Sequence, residues 1–325
     1  MEFLPLDLDI TKKVGKRKIE GEWFLKLGED YFKTGNFQEA IQYFEQYGRI
    51  CEELEDRAGE GSAYGKLGDA YNCVGNVYKA REFFEMQLTI ATELGDKKSE
   101  GRACASLGSQ LCHLRIKYAD TNRYYLRHLK CAIESGDKAG EGHAYGNLGE
   151  LFHRIRDYKK AMEYFELNLT IVKELGDRVG EGTVYGNLGR LYHSLDNFER
   201  AIEYHVMQLG IAKEQSSEID EALAYYHIGC NLESLGSLRK ALACYKLSAK
   251  LCNNIKASVL SQKQNSFTDE WKTNLSDELF PVYMALCRTL LKLDFVLEAL
   301  WAVEQGRAQV LVHVIRSRYG FRLST

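Results

Sequence analysis

Proline is nearly missing from this 325-residue chain: Pro5 and Pro281 are the only two, and every residue between them keeps its backbone N–H. That excludes proline-punctuated loops and a collagen-like period. Cysteine is sparse as well. Nine residues, an odd number with no Cys-x-x-Cys pair, exclude a disulfide scaffold and fit thiols in a reducing compartment. No charge of one sign dominates, since the net charge is −3 and the pI about 6.3, so there is no basic field to attract nucleic acid or anionic lipid. Apolar runs stay well short of the ~18 residues needed to span a bilayer, and acids occupy the N-terminus where a secretory signal needs bases. These absences predict a soluble, cytoplasmic chain with neither nucleic-acid binding nor membrane insertion. What is present is core-forming material, 45% hydrophobic and 27% charged residues, and 28 glycines.

The glycines keep a period. Leu27-Gly28, Leu67-Gly68, Leu107-Gly108, Leu148-Gly149, Leu188-Gly189 and Ile228-Gly229 follow one another at about 40 residues, with one extra position in the interval that ends at Gly149. Bulky residues recur four before, one before and three after each glycine, among them Phe24, Tyr64, Tyr185, Tyr31, Tyr71 and Tyr192, on one helical stripe. Twelve residues after it stands Ala40, Ala80, Ala161, Ala201 or Ala241, with Asp120 in the third copy, and an aromatic such as Phe44, Phe84, Phe165 or Tyr245 follows four later. This is a second helix, carrying a small residue where two helices approach.

Turn pairs such as Gly35-Asn36 and Gly75-Asn76 separate the two helices. Gly95-Asp96, Gly136-Asp137 and Gly176-Asp177 combine a left-handed C-cap with an N-cap for the next helix. The unit is therefore a helical hairpin, and 23 of the 28 glycines fall on its lattice. A glycine inside a helix costs roughly 0.5–1 kcal/mol against alanine, so one kept in six copies predicts close helix contact.

The pattern bulky-x-x-Leu-Gly-x-x-aromatic followed by alanine resembles the tetratricopeptide repeat, whose usual length is about 34 residues. The longer form found here, with its Glu-Gly-x-x-Tyr-Gly-Asn-Leu-Gly and Glu-Leu-Gly-Asp-Arg words, is similar to the arrays of large metazoan proteins that continue into a caspase-like CHAT domain, and secondarily to Pins/LGN-type adaptors. The resemblance implies an all-α, right-handed α-α superhelix. It divides the chain into an N-terminal arm (1–17), six hairpins (18–255), an irregular connection (256–279) and a degenerate seventh hairpin with a C-terminal helix (280–325). In that last part Tyr283, Leu286, Leu290 and Ala299 repeat the spacing around Cys287, and Pro281 suits a helix first turn. Asp269–Lys272 and Glu298–Gln309 resemble the junction to a CHAT domain. The chain stops at Thr325 before any CHAT core, which on this reading makes it a fragment, a short isoform or a product without that half.

In such arrays the first helix of each repeat lines the concave face. The candidate peptide-binding residues there are Lys26, Lys66, Arg102, His113, His143, Asn147, Arg154, Asn187, Arg190 and His227. Asn147 and Asn187 match the groove asparagines of the family, and Arg102 the arginine of its Glu-Gly-Arg-Ala form; Lys26, Lys66, Ser106 and His227 depart from asparagine. Arginine offers a planar donor fork to carboxylates, and asparagine can satisfy both N–H and C=O of an extended backbone. The expected ligand is an extended, acidic protein or peptide segment.

Glu20, Glu60, Glu100, Glu141, Glu181 and Glu221 open the first helices, where the helix dipole accounts for them. Cys104, Cys112, His113, His128 and Cys131 cluster in the third copy without any zinc spacing, and read as buried thiols rather than a metal site. No P-loop, His-Glu-x-x-His or Gly-x-Ser-x-Gly pattern occurs, so the expectation is a scaffold without catalysis, metal or cofactor.

Overall fold

The computed structural model describes residues 4–113, 118–261, 269–302 and 304, and every regular element among them is a helix. In chain order these are α1 (Leu4–Lys33), α2 (Phe37–Glu53), α3 (Arg57–Cys73), α4 (Val77–Leu94), α5 (Lys97–His113), α6 (Tyr118–Ser135), α7 (Lys138–Arg154), α8 (Tyr158–Glu174), α9 (Arg178–Ser194), α10 (Phe198–Glu214), α11 (Glu218–Ser234), α12 (Leu238–Ser261) and α13 (Asp269–Lys292). The chain forms two compact units, Met1–Leu151 and Phe152–Thr325. Within each, successive helices pack on one another as hairpins joined by short turns, the packing of an α-helical solenoid.

The turns repeat one chemistry from helix to helix. A residue of positive φ ends most helices, Gly35, Gly75, Gly95, Gly136, Gly176 and Gly236 at 66–78°, and the next residue caps the helix that follows. Asp56 accepts from the Gly59 amide at 2.9 Å, Asp137 from Gly140 at 2.9 Å and Asp177 from Gly180 at 2.9 Å. The glycines at these third positions pack closely under the cap: a Cβ on Gly59 would lie 2.7 Å from the capping carboxylate of Asp56, whereas Asp96 accepts from the amide of Ser99 at the looser distance of 3.1 Å.

The Leu-Gly glycine has a sharper reason than general helix contact. A Cβ on Gly28, Gly68, Gly108, Gly189 or Gly229 would sit about 2.5 Å from a ring of the second helix of the same hairpin: Phe44, Phe84, Tyr125, His205 and Tyr245 respectively. Each ring fills the hole that its glycine leaves, and Phe44, Phe165 and Tyr245 are fully buried. The residue before it is usually aromatic too and packs on the first-helix rings, as Tyr43 does on Tyr31 at 5.2 Å and Tyr204 on Tyr192 at 5.3 Å. Ala40, Ala80, Ala161, Ala201 and Ala241 have no exposed surface, so the two backbones meet over them.

Salt links close the open end of several hairpins. Arg57 at the start of α3 binds Glu60 in its own first turn and Glu93 at the end of α4; Arg178 does the same with Glu181 and Glu214, and Arg17 with Glu20 and Glu53. The glutamates assigned to the helix dipole thus have a second role. Glu60, Glu100 and Glu181 are buried. Burial alone would raise the Glu100 carboxyl, but hydrogen bonds from Lys97 and Arg127 outweigh it and hold the group below the usual range.

Four details differ from the sequence expectation. The arm 1–17 is helical from Leu4, continuous with the first hairpin, and Pro5 sits in that first turn. The small residue of the third copy is Thr121, fully buried, whereas Asp120 pairs with Arg123 near the surface; the one extra residue of this copy falls before α6 and shifts the whole second helix. The connection 256–279 is helical at both ends, because α12 runs to Ser261 and α13 begins at Asp269. Pro281 therefore lies inside α13, on its exposed side, where water can meet the carbonyl that loses its N–H partner. Beyond α13, residues 296–302 are helical; Tyr283, Leu286, Leu290 and Ala299 are buried together in one cluster with Tyr245 and Cys252.

Candidate functional site

The ten groove positions divide between the two units. In Met1–Leu151, Lys26 and Arg102 are exposed, and Lys66 reaches across from α3 to bind Glu29 of α1 at 2.6 Å. Asp69, half-buried on α3, is raised above the ordinary carboxylate range by desolvation, against the pull of Arg102 and Lys66. The cations of this face are thus met by acids of the same face. His143 is exposed and Asn147 half-buried on α7. His113 ends α5, and its side chain lies outside the described residues.

In Phe152–Thr325, Arg154 is half-buried at the end of α7, and three of the remaining positions come together. Asn187, Arg190 and His227 line one cleft of about 610 Å³ between α9 and α11, floored by Gln208, Ile211 and Ala212 of α10. Gly182 and Gly186 open it: a Cβ on the first would meet Ile211 at 3.1 Å, and one on the second would meet Gln208 at 2.9 Å. Arg190 donates to Asn187 Oδ1 at 2.7 Å, which fixes the guanidinium plane against the cleft wall. His193 donates to Asn231 at 2.9 Å and so sets the register between α9 and α11.

Beside the cleft lies a residue whose role the repeat pattern had concealed. His205 occupies the buried ring position taken elsewhere by Phe44, Phe84, Tyr125, Phe165 and Tyr245, against Gly189. Its Nδ1 donates to Gln208 Oε1 at 3.0 Å, its Nε2 is buried with no hydrogen-bond partner, and its ring stacks on His227 at 4.9 Å. Desolvation, with Arg190 and His193 nearby, lowers His205 to about 4 and His227 to about 3, so both imidazoles are neutral at neutral pH. Counting sixteen positions on from Gly189 would have exposed the exception.

The cysteine and histidine cluster of the third copy is a packing feature. Cys104, Cys112, Cys131 and His128 are buried, and desolvation raises the Cys104 thiol to about 12 and the Cys131 thiol to about 11. Among the described residues, no three His, Cys, Asp or Glu side chains gather where they could hold a metal ion, and no helix is long and apolar enough to cross a membrane.

Family models described as tetratricopeptide repeat match residues 20–93 and 144–214, and a second such model matches 222–255, together more than half of the chain. The chain belongs to the tetratricopeptide repeat family. A search of the curated proteins finds no match. Solved structures share the fold. BtubC (BKLC) from P. vanneervenii is 21% identical with a TM-score of 0.59, over 70% of this chain and 94% of that one. Aspartyl phosphate phosphatase F from Bacillus subtilis is 12% identical with a TM-score of 0.67, over 94% of this chain and 73% of that one. The Rap conjugation gene regulator of plasmid pLS20, in complex with the Phr* peptide, is 16% identical with a TM-score of 0.59, over 92% of this chain and 77% of that one. This tetratricopeptide chain is a protein-interaction scaffold by architecture: hairpins that spend their apolar faces on each other and leave a polar first-helix face outward.

Proposed function

We propose that this scaffold, without catalysis of its own, captures an extended acidic peptide segment on its first-helix faces. The observation that carries the reading is the cleft of Asn187, Arg190 and His227, where a guanidinium held in plane and a carboxamide stand over a floor of Ile211, Ala212 and Gln208. Such a floor accepts a side chain, while the polar pair suits a carboxylate and a peptide backbone. Capture of a peptide by the same fold is on record in the pLS20 regulator with its Phr* peptide. The remaining candidates, Lys26, Lys66, Arg102, His113, His143, Asn147 and Arg154, belong to the other first helices.

The triple change Arg102→Glu, Arg154→Glu and Arg190→Glu is expected to abolish capture of partners from a lysate while the helical circular-dichroism signal stays intact. Unchanged capture would remove the groove from consideration.

A second reading is a regulatory or substrate-recruiting array of a CHAT-type protein. The exposed apolar residues Phe295, Val296, Leu297, Leu300 and Trp301 favour it, because they crowd the end of the array next to the words that resemble a CHAT junction. Part of that junction, 303 and 305–309, lies outside the described residues. A reading frame continuing past Thr325 into a sequence with a His and a Cys nucleophile would select this reading over the first.

A further inference from the structure

The cleft between α9 and α11 has two different ends. Arg190 and His227 stand at one; at the other are Ser217 and Asp220, in the first turn of α11, with Gln215. The hydrogen bond from His193 to Asn231 places Arg190 level with Ile228, two helical turns along α11 from Asp220. At about 1.5 Å per helical residue the two charges are about 12 Å apart along the axis. Val179, Leu223, Ile211 and Ala212 make the wall between them apolar.

The sixth repeat alone is built this way. Nine positions before the marker glycine the other repeats have Ile19, Gly59, Ser99, Gly140 and Gly180, none of them charged. Here it is Asp220, whose amide donates to the capping Ser217 Oγ and whose carboxylate accepts from that hydroxyl at 2.6 Å. Six positions before the glycine the other repeats have Glu22, Ser62, Arg102, His143 and Thr183; here it is Leu223. Asp220 is exposed and Leu223 half-exposed. Both face the cleft.

We infer that this cleft is a polarised subsite: it takes an aliphatic side chain of an extended peptide, flanked by an acidic group at the Arg190 end and a basic group at the Asp220 end, about four positions apart. The spacing follows from about 3.3 Å per extended residue over about 12 Å. The charges select direction as well as composition, because a peptide turned end for end would set like charges together. This inference rests on the peptide-groove reading and narrows it from an acidic ligand to a mixed-charge one.

The probe is a display library of random heptapeptides, selected on the full chain and on the variants Arg190→Glu, Asp220→Lys and Leu223→Ser, each verified by its circular-dichroism spectrum. The wild-type selection should yield an acid and a base three to four positions apart around an aliphatic residue. Asp220→Lys should replace the base by a second acid and weaken the wild-type consensus at least tenfold, and Leu223→Ser should relax the aliphatic position. An acid-only consensus that Arg190→Glu abolishes and Asp220→Lys leaves unchanged would overturn the polarised subsite while leaving the acidic-peptide reading in place. Enrichment independent of all three residues would overturn both.

Discussion

His205 shows what one substitution in a repeat can do. Its ring fills the Gly189 hole as Phe44 and Phe84 fill theirs, but it brings a nitrogen lone pair that finds no partner there. An unsatisfied buried acceptor costs about 1–3 kcal/mol. The same burial makes the group acid-labile. Its folded value of about 4 lies below the ordinary 6.5, so protons bind the unfolded chain first. Stability is complete above pH 6.5 and falls as the pH drops toward 4, by about 3 kcal/mol in all at about 1.36 kcal/mol per pH unit. His205→Phe should therefore raise stability by about 1 kcal/mol at pH 7 and by more at pH 4.5, in denaturant titrations at the two values. An equal gain at both would assign the acid response elsewhere. The position is legible by counting from the marker glycine; the missing partner of Nε2 depends on the packing of α9, α10 and α11 and becomes visible only with the fold.

At the scale of the element, the lattice of glycine, alanine and ring was legible because each is a steric requirement repeated at fixed spacing: no other side chain fits opposite Phe44 or Phe84. The extra residue of the third copy hid Thr121 behind Asp120, since a period cannot say where an insertion falls. The link of the last hairpin was not legible either. Glu233 of α11 accepts two hydrogen bonds from Arg288, one from Lys292 of α13 and one from Tyr245 of α12. Burial raises this carboxyl, but the four donors prevail and hold it at about 2. Its contribution is present above about pH 4.5 and is lost as the pH falls toward 2. Glu233→Gln should cost about 2 kcal/mol, the scale of hydrogen bonds to a charged group. Amide exchange should quicken in 282–302 and stay unchanged in α9. Equal exchange in both proteins would show that the apolar cluster of Tyr283, Leu286 and Leu290 holds this hairpin alone. Arg288 and Lys292 stand 55 and 59 residues along the chain from Glu233, between multiples of the repeat, which is why spacing could not reveal them.

At the scale of the whole molecule, a chain with net charge −3 presents differently charged first-helix faces in its two units. In the first, Lys66 faces Glu29 and Arg102 draws Asp69, so the face is balanced within itself. In the second, the cleft joins Arg190, an apolar wall and Asp220. The first-helix positions of this surface could be located from the sequence, because they lie opposite a stripe of obligatory packing residues. Gln208 and Ile211 could not, since they reach the cleft from the second helix through gaps left by Gly186 and Gly182. The claim that this face binds the ligand is tested most directly by photocrosslinking. A benzoylphenylalanine at Thr183, exposed at the cleft, is expected to form adducts with the captured partner. One at Val206, exposed on the side of α10 away from Gln208, is expected to form none. Adducts from Val206 and not from Thr183 would contradict the account and place recognition on the second-helix face.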